Sequence, residues 1–255
     1  MSTNRYNVAS IEKAVAIIDY IAACGGATYK KICDDMNYPK ASIYTILQTG
    51  LSTNLLTIGT DKKYRLGTKL LYWGYTAEQR IDIAALASPI LQQLAADLQV
   101  SVHMGQMIDG KAIFVAKYDG SLYTIKTTVL GQEAMFHCQC TAKTLLAYQP
   151  LSVQKSIISS IDYPAFTHNT ITTPEQLERE LAEICKNGYS VDNYERSETI
   201  LGLGVPVFNW RDQVVAAISI GYIGPGLSIK QQMLFIEKLR SASRAITNSL
   251  GNITP

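Results

Sequence analysis

The chain has 255 residues, 47% of them hydrophobic and 17% charged. That balance excludes a disordered polypeptide and fits one large domain or two modest ones. The net charge of +2 is small, but residues 1–75 hold nine basic and five acidic side chains, and a basic excess at one end suits an anionic partner. The best apolar run, residues 214–227, is interrupted by Gly221, Gly224, Pro225 and Gly226 and is too short for a membrane span. Residues 1–7 are polar with no apolar stretch behind them, so no signal peptide is read. A cytoplasmic protein without membrane attachment is expected.

The first element is a helix opened by Ser10 and closed by Gly25-Gly26, with Ile11, Ala14, Val15, Ile18 and Ile21 on its inner stripe. Thr28 caps a short second helix, with Tyr29, Ile32, Cys33 and Met36 on one face. Asn37-Tyr38-Pro39 turns the chain into a third helix that starts at Pro39 and buries Ile43, Ile46, Leu47 and Leu51. Residues 55–58 and 63–66 then read as two strands around the turn 59–62, with basic residues at the tip. Three helices and a basic hairpin make a winged helix-turn-helix.

Its third helix is slim and polar outside. Ser42 and Gln48 are placed to bond base edges, Tyr44 to touch a base or phosphate, and Thr45 shares that outer face. Lys30, Lys31, Lys40, Lys63 and Arg65 are placed to neutralise phosphates of a double-stranded DNA operator.

Helical pieces at 68–78 and 80–87 follow as a linker, and Pro89 is read as the start of the next helix. Residues 100–107 alternate, Asp109-Gly110 is a hairpin signal, and 112–118 and 122–128 complete an antiparallel meander. A helix over 140–148 is followed by Thr173-Pro174-Glu175-Gln176, a capping box that opens a helix ending at Asn187-Gly188. Strands at 189–193, 202–208 and 214–221 precede a long final helix opened by Ser228. The fold class is α+β: helices on an antiparallel sheet. The domains are read as 1–67, a linker 68–88, and 89–255.

Cysteine placement gives little. Cys24, Cys33 and Cys185 sit singly among apolar neighbours and read as small buried hydrophobes. Cys138 and Cys140 lie close together beside His137, but a tetrahedral metal site needs more ligands and a thiol nucleophile needs a placed base. No phosphate-binding glycine motif is present. No metal, cofactor or catalytic residue is therefore assigned.

Several stretches resemble the IclR family of bacterial transcription regulators. They are Val8-Ala9-Ser10-Ile11-Glu12-Lys13-Ala14, Lys63-Tyr64-Arg65-Leu66-Gly67, Ala87-Ser88-Pro89-Ile90-Leu91-Gln92-Gln93-Leu94 and Lys143-Thr144-Leu145-Leu146-Ala147. Thr170-Ile171-Thr172, Gly188-Tyr189-Ser190-Val191-Asp192 with Glu195, Val205-Pro206-Val207-Phe208 and Ala216-Ala217-Ile218-Ser219-Ile220 follow in the same order. The resemblance implies a repressor or activator that forms homodimers or tetramers, partly through the linker. It also implies a GAF-like effector-binding domain that senses small organic, aromatic or sugar-derived acids.

By position, the resemblance implies an effector pocket of Met135, Cys138, Gln139, Cys140, Thr141, Ala142, Asp192, Glu195, Gly202, Ala217 and Ser219. Backbone amides at the helix start near Cys140 would hold a carboxylate, and Asp192 and Glu195 would accept bonds from ligand hydroxyls. Those two acids read equally well as capping or cross-sheet pairing residues. The chain departs from the family where Thr45 stands for a common Arg and Ala142 for a usual Gly. Thr199, Gly202 and Gly204 stand for a usual Gly, Cys and Ala. No relative's ligand therefore carries over. A different class of function, a GAF-like redox sensor or enzyme using Cys138 or Cys140, is separated from a plain ligand sensor by thiol dependence.

Overall fold

The computed structural model describes residues 8–78, 80–120, 125, 128–224 and 226–252. The chain divides into two units between Ile81 and Asp82, inside the stretch read as linker.

The first unit holds α1 (Ala9–Ala23), β1 (Ala27–Thr28), α2 (Tyr29–Asp35), α3 (Lys40–Ser52), β2 (Leu56–Ile58), β3 (Lys63–Leu66) and α4 (Thr68–Glu78). The hairpin β2–β3 gains β1 as a third antiparallel strand, which two residues alone did not announce. Ile17, Ile21, Ile32, Ile43, Leu47, Leu56 and Tyr64 form the core. Thr28 caps α2 by accepting from the Lys31 amide. Three local readings are corrected. Ser10 lies inside α1, whose N-cap is Val8 with no side-chain bond. The buried stripe of α1 is Ile17 and Ile21, while Ile11 and Val15 stand in solvent. The Ile17-Ile18 doublet makes the apolar arc wide, and the core takes its Ile17 side. Pro39 is the N-cap of α3 and not its first residue.

The second unit holds α5 (Ile83–Leu98), β4 (Ser101–Ile108), β5 (Lys111–Tyr118), β6 (Glu133–Ala134), α6 (Cys140–Ala147), α7 (Leu151–Ser160), α8 (Pro174–Asn187), β7 (Ser190–Asn193), β8 (Ile200–Phe208), β9 (Val214–Ile223) and α9 (Ile229–Ser249). Asp82 caps α5, and the helix runs on through Pro89, so Pro89 does not start it. The ring removes only the bond that its nitrogen would have given the Ala85 carbonyl. The strands form one antiparallel sheet in the order β6-β5-β4-β9-β8-β7. The third meander strand, expected over 122–128, falls outside the described residues except for Ile125 and Thr128, which lie in neither helix nor strand.

The two faces of this sheet differ. Val102, Met104, Leu203, Val205, Val207, Ile218 and Ile220 pack with α5 and α9 in a continuous apolar core. The alternate residues face the other way and are small or polar: Ser101, His103 and Gly105 on β4, Gly202 and Gly204 on β8, Ala217, Ser219 and Gly221 on β9. Helix α6 lies on that second face, and all eight of its residues are buried. The glycines make this approach possible. A Cβ on Gly105 would stand 2.6 Å from Thr141 Cγ2, one on Gly202 2.8 Å from Cys140 Sγ, and one on Gly204 3.0 Å from Thr144 Oγ1. Helix α8 covers α6 and is held by the Thr173–Gln176 capping box and by Gly188 in the left-handed conformation. Cys24 and Cys185 are exposed and Cys33 is half-buried, against the expectation of three buried thiols. Among the described residues no helix is long and apolar enough to cross a membrane.

Candidate functional site

On the small-residue face a cavity of about 300 Å³ opens beside the start of α6. Its wall includes Met135, Gln139, Cys140, Thr141, Asp192, Gly202 and Ser219, seven residues of the pocket read by position. Cys138, Ala142, Glu195 and Ala217 are not in the wall. Ala142 and Ala217 pack into the apolar cluster beneath, Cys138 is buried, and Glu195 turns inward to Lys143. The structure adds His103, Phe114, Arg196 and Ser197 to the lining, none of which the sequence singled out.

Each polar wall residue has a local reason for its position. The Thr141 and Ser219 hydroxyls meet at 2.7 Å and tie α6 to β9. Ser190, bonded to Thr144 at 2.6 Å, donates to the Cys140 carbonyl at 2.8 Å. No side chain caps α6, and the Gln139 side-chain oxygen instead accepts from the Met135 amide at 2.8 Å. The first amides of α6 are therefore left as donors at the positive end of the helix.

Also in the wall, Asp192 Oδ1 accepts from the amides of Glu195, at 2.7 Å, and Arg196, at 3.4 Å. This bends the chain after β7. The Arg196 guanidinium stacks 4.0 Å from the centre of the Phe166 ring. Thr167 and Thr170 staple the Phe166 loop to the carbonyls of Tyr194 and Glu195, at 2.7 and 2.6 Å.

Beneath this bend lies a buried lysine. Lys143 is fully enclosed, and its Nζ donates to both Glu195 carboxylate oxygens at 2.8 Å, to Glu180 at 2.9 Å and to the Val191 carbonyl at 2.5 Å. Desolvation pulls its pKa down, but Glu195 and Glu180 outweigh that and hold it above the ordinary lysine value. Burial, then the charge of Glu195, pushes Asp192 up to about 7. Burial pushes the thiols of Cys138 and Cys140 up to about 12. His137 gives its Nε2 to the Pro164 carbonyl at 3.0 Å and stacks on Phe166, so it is occupied in tying down that loop.

In the first unit, Lys30, Lys31, Lys40, Tyr44, Thr45, Gln48 and Lys63 are exposed, while Ser42 and Arg65 are half-buried. Tyr44 meets Tyr29 edge-on, and the Thr45 hydroxyl is turned back onto the Ala41 carbonyl at 3.0 Å. Two of the five basic residues already have partners: Lys31 pairs with Asp35 at 2.9 Å and Arg65 with Asp61 at 2.6 Å.

Residues 75–248 match the model of the family described as bacterial transcriptional regulator IclR, C-terminal. Over 250 residues the chain is 30% identical to an Escherichia coli protein described as the uncharacterized HTH-type transcriptional regulator RhmR, covering 97% of this chain and 95% of that one. It is 26% identical to the E. coli HTH-type transcriptional regulator KdgR, covering 96% of this chain and 94% of that one. Among solved structures, the Agrobacterium tumefaciens repressor BlcR superposes with a TM-score of 0.83 at 23% identity, over 97% of this chain and 99% of that one.

Proposed function

Because the chain belongs to the IclR family of bacterial transcription regulators, we propose that it is a ligand-controlled repressor of a catabolic operon that senses a small carboxylic or sugar-derived acid. The observation that carries this reading is the cavity, with the uncapped start of α6 on one wall and Asp192 and Arg196 on another. Free helix amides and the helix dipole favour a carboxylate, and Arg196 supplies a counter-charge. Asp192, about half protonated at neutral pH and more so below it, can then offer a hydrogen to the ligand in place of repelling it.

The DNA side of the reading rests on the first unit. Ser42, Tyr44 and Gln48 are offered to bases, with Thr45 beside them; Lys30, Lys40 and Lys63 are offered to phosphates, and Lys31 and Arg65 are offered with their acid partners in place. A homodimer or tetramer would set two such units on adjacent half-sites, and the exposed Leu71, Tyr72, Trp73 and Tyr75 of α4 favour pairing there.

The redox alternative requires a reactive thiol. Both candidate cysteines are buried and hold their protons, the opposite of what a sensor cysteine needs, and the ligand reading is preferred.

A thermal-shift screen of small carboxylic and sugar acids tests the sensor, since a native-state ligand raises Tm by mass action. Binding to the chain's own upstream DNA, measured with and without the acid so found, tests the regulator. No shift with any acid refutes the sensor, and no preference over random DNA at moderate salt refutes the regulator.

A further inference from the structure

Across the cavity face of the sheet one row reads Ser190, Gly204, Ser219, His103, Lys117 from strand to strand. The neighbours of His103 are engaged. Ser219 shares a hydrogen with Thr141. Lys117 reaches the carbonyls of Ile125 and Thr128, at 2.5 and 3.3 Å, and the Asp119 carboxylate at 3.6 Å. His103 itself is 4% exposed, stands in the cavity wall and tilts against Phe114 with ring centres 5.7 Å apart. Its Nε2 has no hydrogen-bond partner among the described residues. Folded proteins rarely leave a buried ring nitrogen unpaired, because its lost hydration is not returned. Here the unpaired atom belongs to a residue of a cavity wall.

We infer that His103 is a specificity-determining residue of this cavity and that it recognises a hydroxyl group on the bound acid. The inference rests on the acid-sensor reading above and adds to it the group that the acid must carry. The ring's charge state decides the chemistry. Burial, and then the nearby Lys117 ammonium, push the His103 pKa down to about 4. The ring is therefore neutral at pH 7, with one nitrogen a donor and the other an acceptor. A ligand carboxylate would demand a donor, best as the imidazolium that this wall disfavours. A hydroxyl both gives and takes a hydrogen bond, so it completes Nε2 in either tautomer. Phe114, tilted against the ring, gives that hydroxyl an apolar surround in which its bond is worth more than in water.

The test is calorimetry on the full chain with hexanoate and its 2-, 3-, 4-, 5- and 6-hydroxy derivatives, for the wild type, His103→Leu and His103→Gln. At least one hydroxy acid should bind the wild type about three- to tenfold tighter than hexanoate, the range of one net hydrogen bond. His103→Leu should abolish that preference while still binding hexanoate, and His103→Gln should restore part of it. Ligand-free His103→Leu should also melt about 2–4 °C higher than the wild type, because a buried unpaired polar atom has gone.

A wild-type preference that is absent, or that survives in His103→Leu, overturns the inference and leaves the acid sensor standing. So does uptake of a proton by the wild type that His103→Gln does not share, which would put a carboxylate on the imidazolium. A lower Tm for His103→Leu, or its failure to fold, would show that the ring serves the fold and would also overturn it. If no acid of the series binds any form, the sensor reading fails for this class and the inference falls with it.

Discussion

Lys143 and Glu195 are 52 residues apart in sequence, and yet the lysine ammonium lies 2.8 Å from both oxygens of the glutamate, with both residues buried. The pair fixes the bend that follows β7. Asp192 sits at the start of that bend, bonded to the Glu195 and Arg196 amides, so two cavity-wall residues take their positions from a pair that is not itself in the wall. The ligand cavity and the buried charge are thus one piece of construction: α6 brings its first turn to the cavity and its Lys143 to the bend.

Breaking this pair should be costly. Removing one partner of a buried ion pair leaves the other charged and unpaired, typically at about 3–5 kcal/mol. Lys143→Met is expected to cost stability in that range, because it strands Glu195. Glu195→Gln should cost less, since Glu180 and the Val191 carbonyl remain on the ammonium. Urea unfolding of the two variants measures the difference, and equal losses would mean that Glu180 contributes nothing.

Asp192 makes stability fall with pH. Its pKa is 3.8 before the fold acts on it and about 7 in the folded chain. Below about pH 4 both states hold the proton. Between pH 4 and 7 the unfolded chain releases it and the folded chain does not, so stability declines as pH rises and levels off above 7. The decline attributable to this group is on the order of 4 kcal/mol at most, taking about 1.4 per pKa unit. Asp192→Asn keeps the oxygen that accepts the two amides and removes the titration. Its unfolding free energy should lose that slope, and the variant should be the more stable at pH 8. A slope unchanged in Asp192→Asn would place the proton elsewhere.

The thiols of Cys138 and Cys140 should be inert. At about 12, about one thiol in a hundred thousand is ionised at pH 7, and the thiolate is the reactive form. Iodoacetamide should label the exposed Cys24 and Cys185 well before either. Cys138→Ser with Cys140→Ser should bind DNA equally under oxidising and reducing conditions. Loss of regulation by peroxide in the wild type alone would restore the redox alternative.

What was legible in the sequence was what local chemistry decides. The Thr173–Gln176 box, the Thr28 cap and the Asp109-Gly110 turn each act within four residues, and each lies where expected. Helix α7 carries no stripe legible in the sequence, because Ile158 is its one buried residue. Helix α5 reads in the sequence as two pieces because a proline is taken as a helix start, whereas the helix begins after Asp82 and passes through Pro89. In the site, the positional reading puts Thr141, Asp192 and Ser219 in the pocket, and they line the cavity. Glu195, open in the sequence to a pocket role or a pairing role, pairs with Lys143, a partner on another element that no spacing rule joins to it. Lys143 had one signal, a cation within the otherwise uncharged run of α6. His103 and Arg196 had none, since strand register and a stapled loop bring them to the cavity.

The hairpin of the first unit makes the last prediction. Lys63 has no ion pair among the described residues, whereas Arg65 is held by Asp61 through two bonds, at 3.0 and 2.6 Å. The same Asp61 accepts from the Lys63 amide at 3.2 Å and so shapes the turn. If the hairpin contacts phosphates, the two basic residues should not weigh equally. Lys63→Ala should lower affinity on every sequence and flatten the plot of log affinity against log salt by about 0.9, one phosphate's share. Arg65→Ala should flatten it less, because its charge is already met within the hairpin. Asp61→Asn keeps an acceptor for the turn, frees the guanidinium, and should tighten binding and steepen the slope. Gln48→Ala should instead change which sequence is preferred and leave the slope alone. Fluorescence anisotropy of full-length protein on labelled upstream DNA, across a salt series, reads all four variants. Equal slopes for Lys63→Ala and Arg65→Ala, with no gain from Asp61→Asn, would mean that DNA displaces Asp61 from the arginine and that the pair seen here does not restrain the wing.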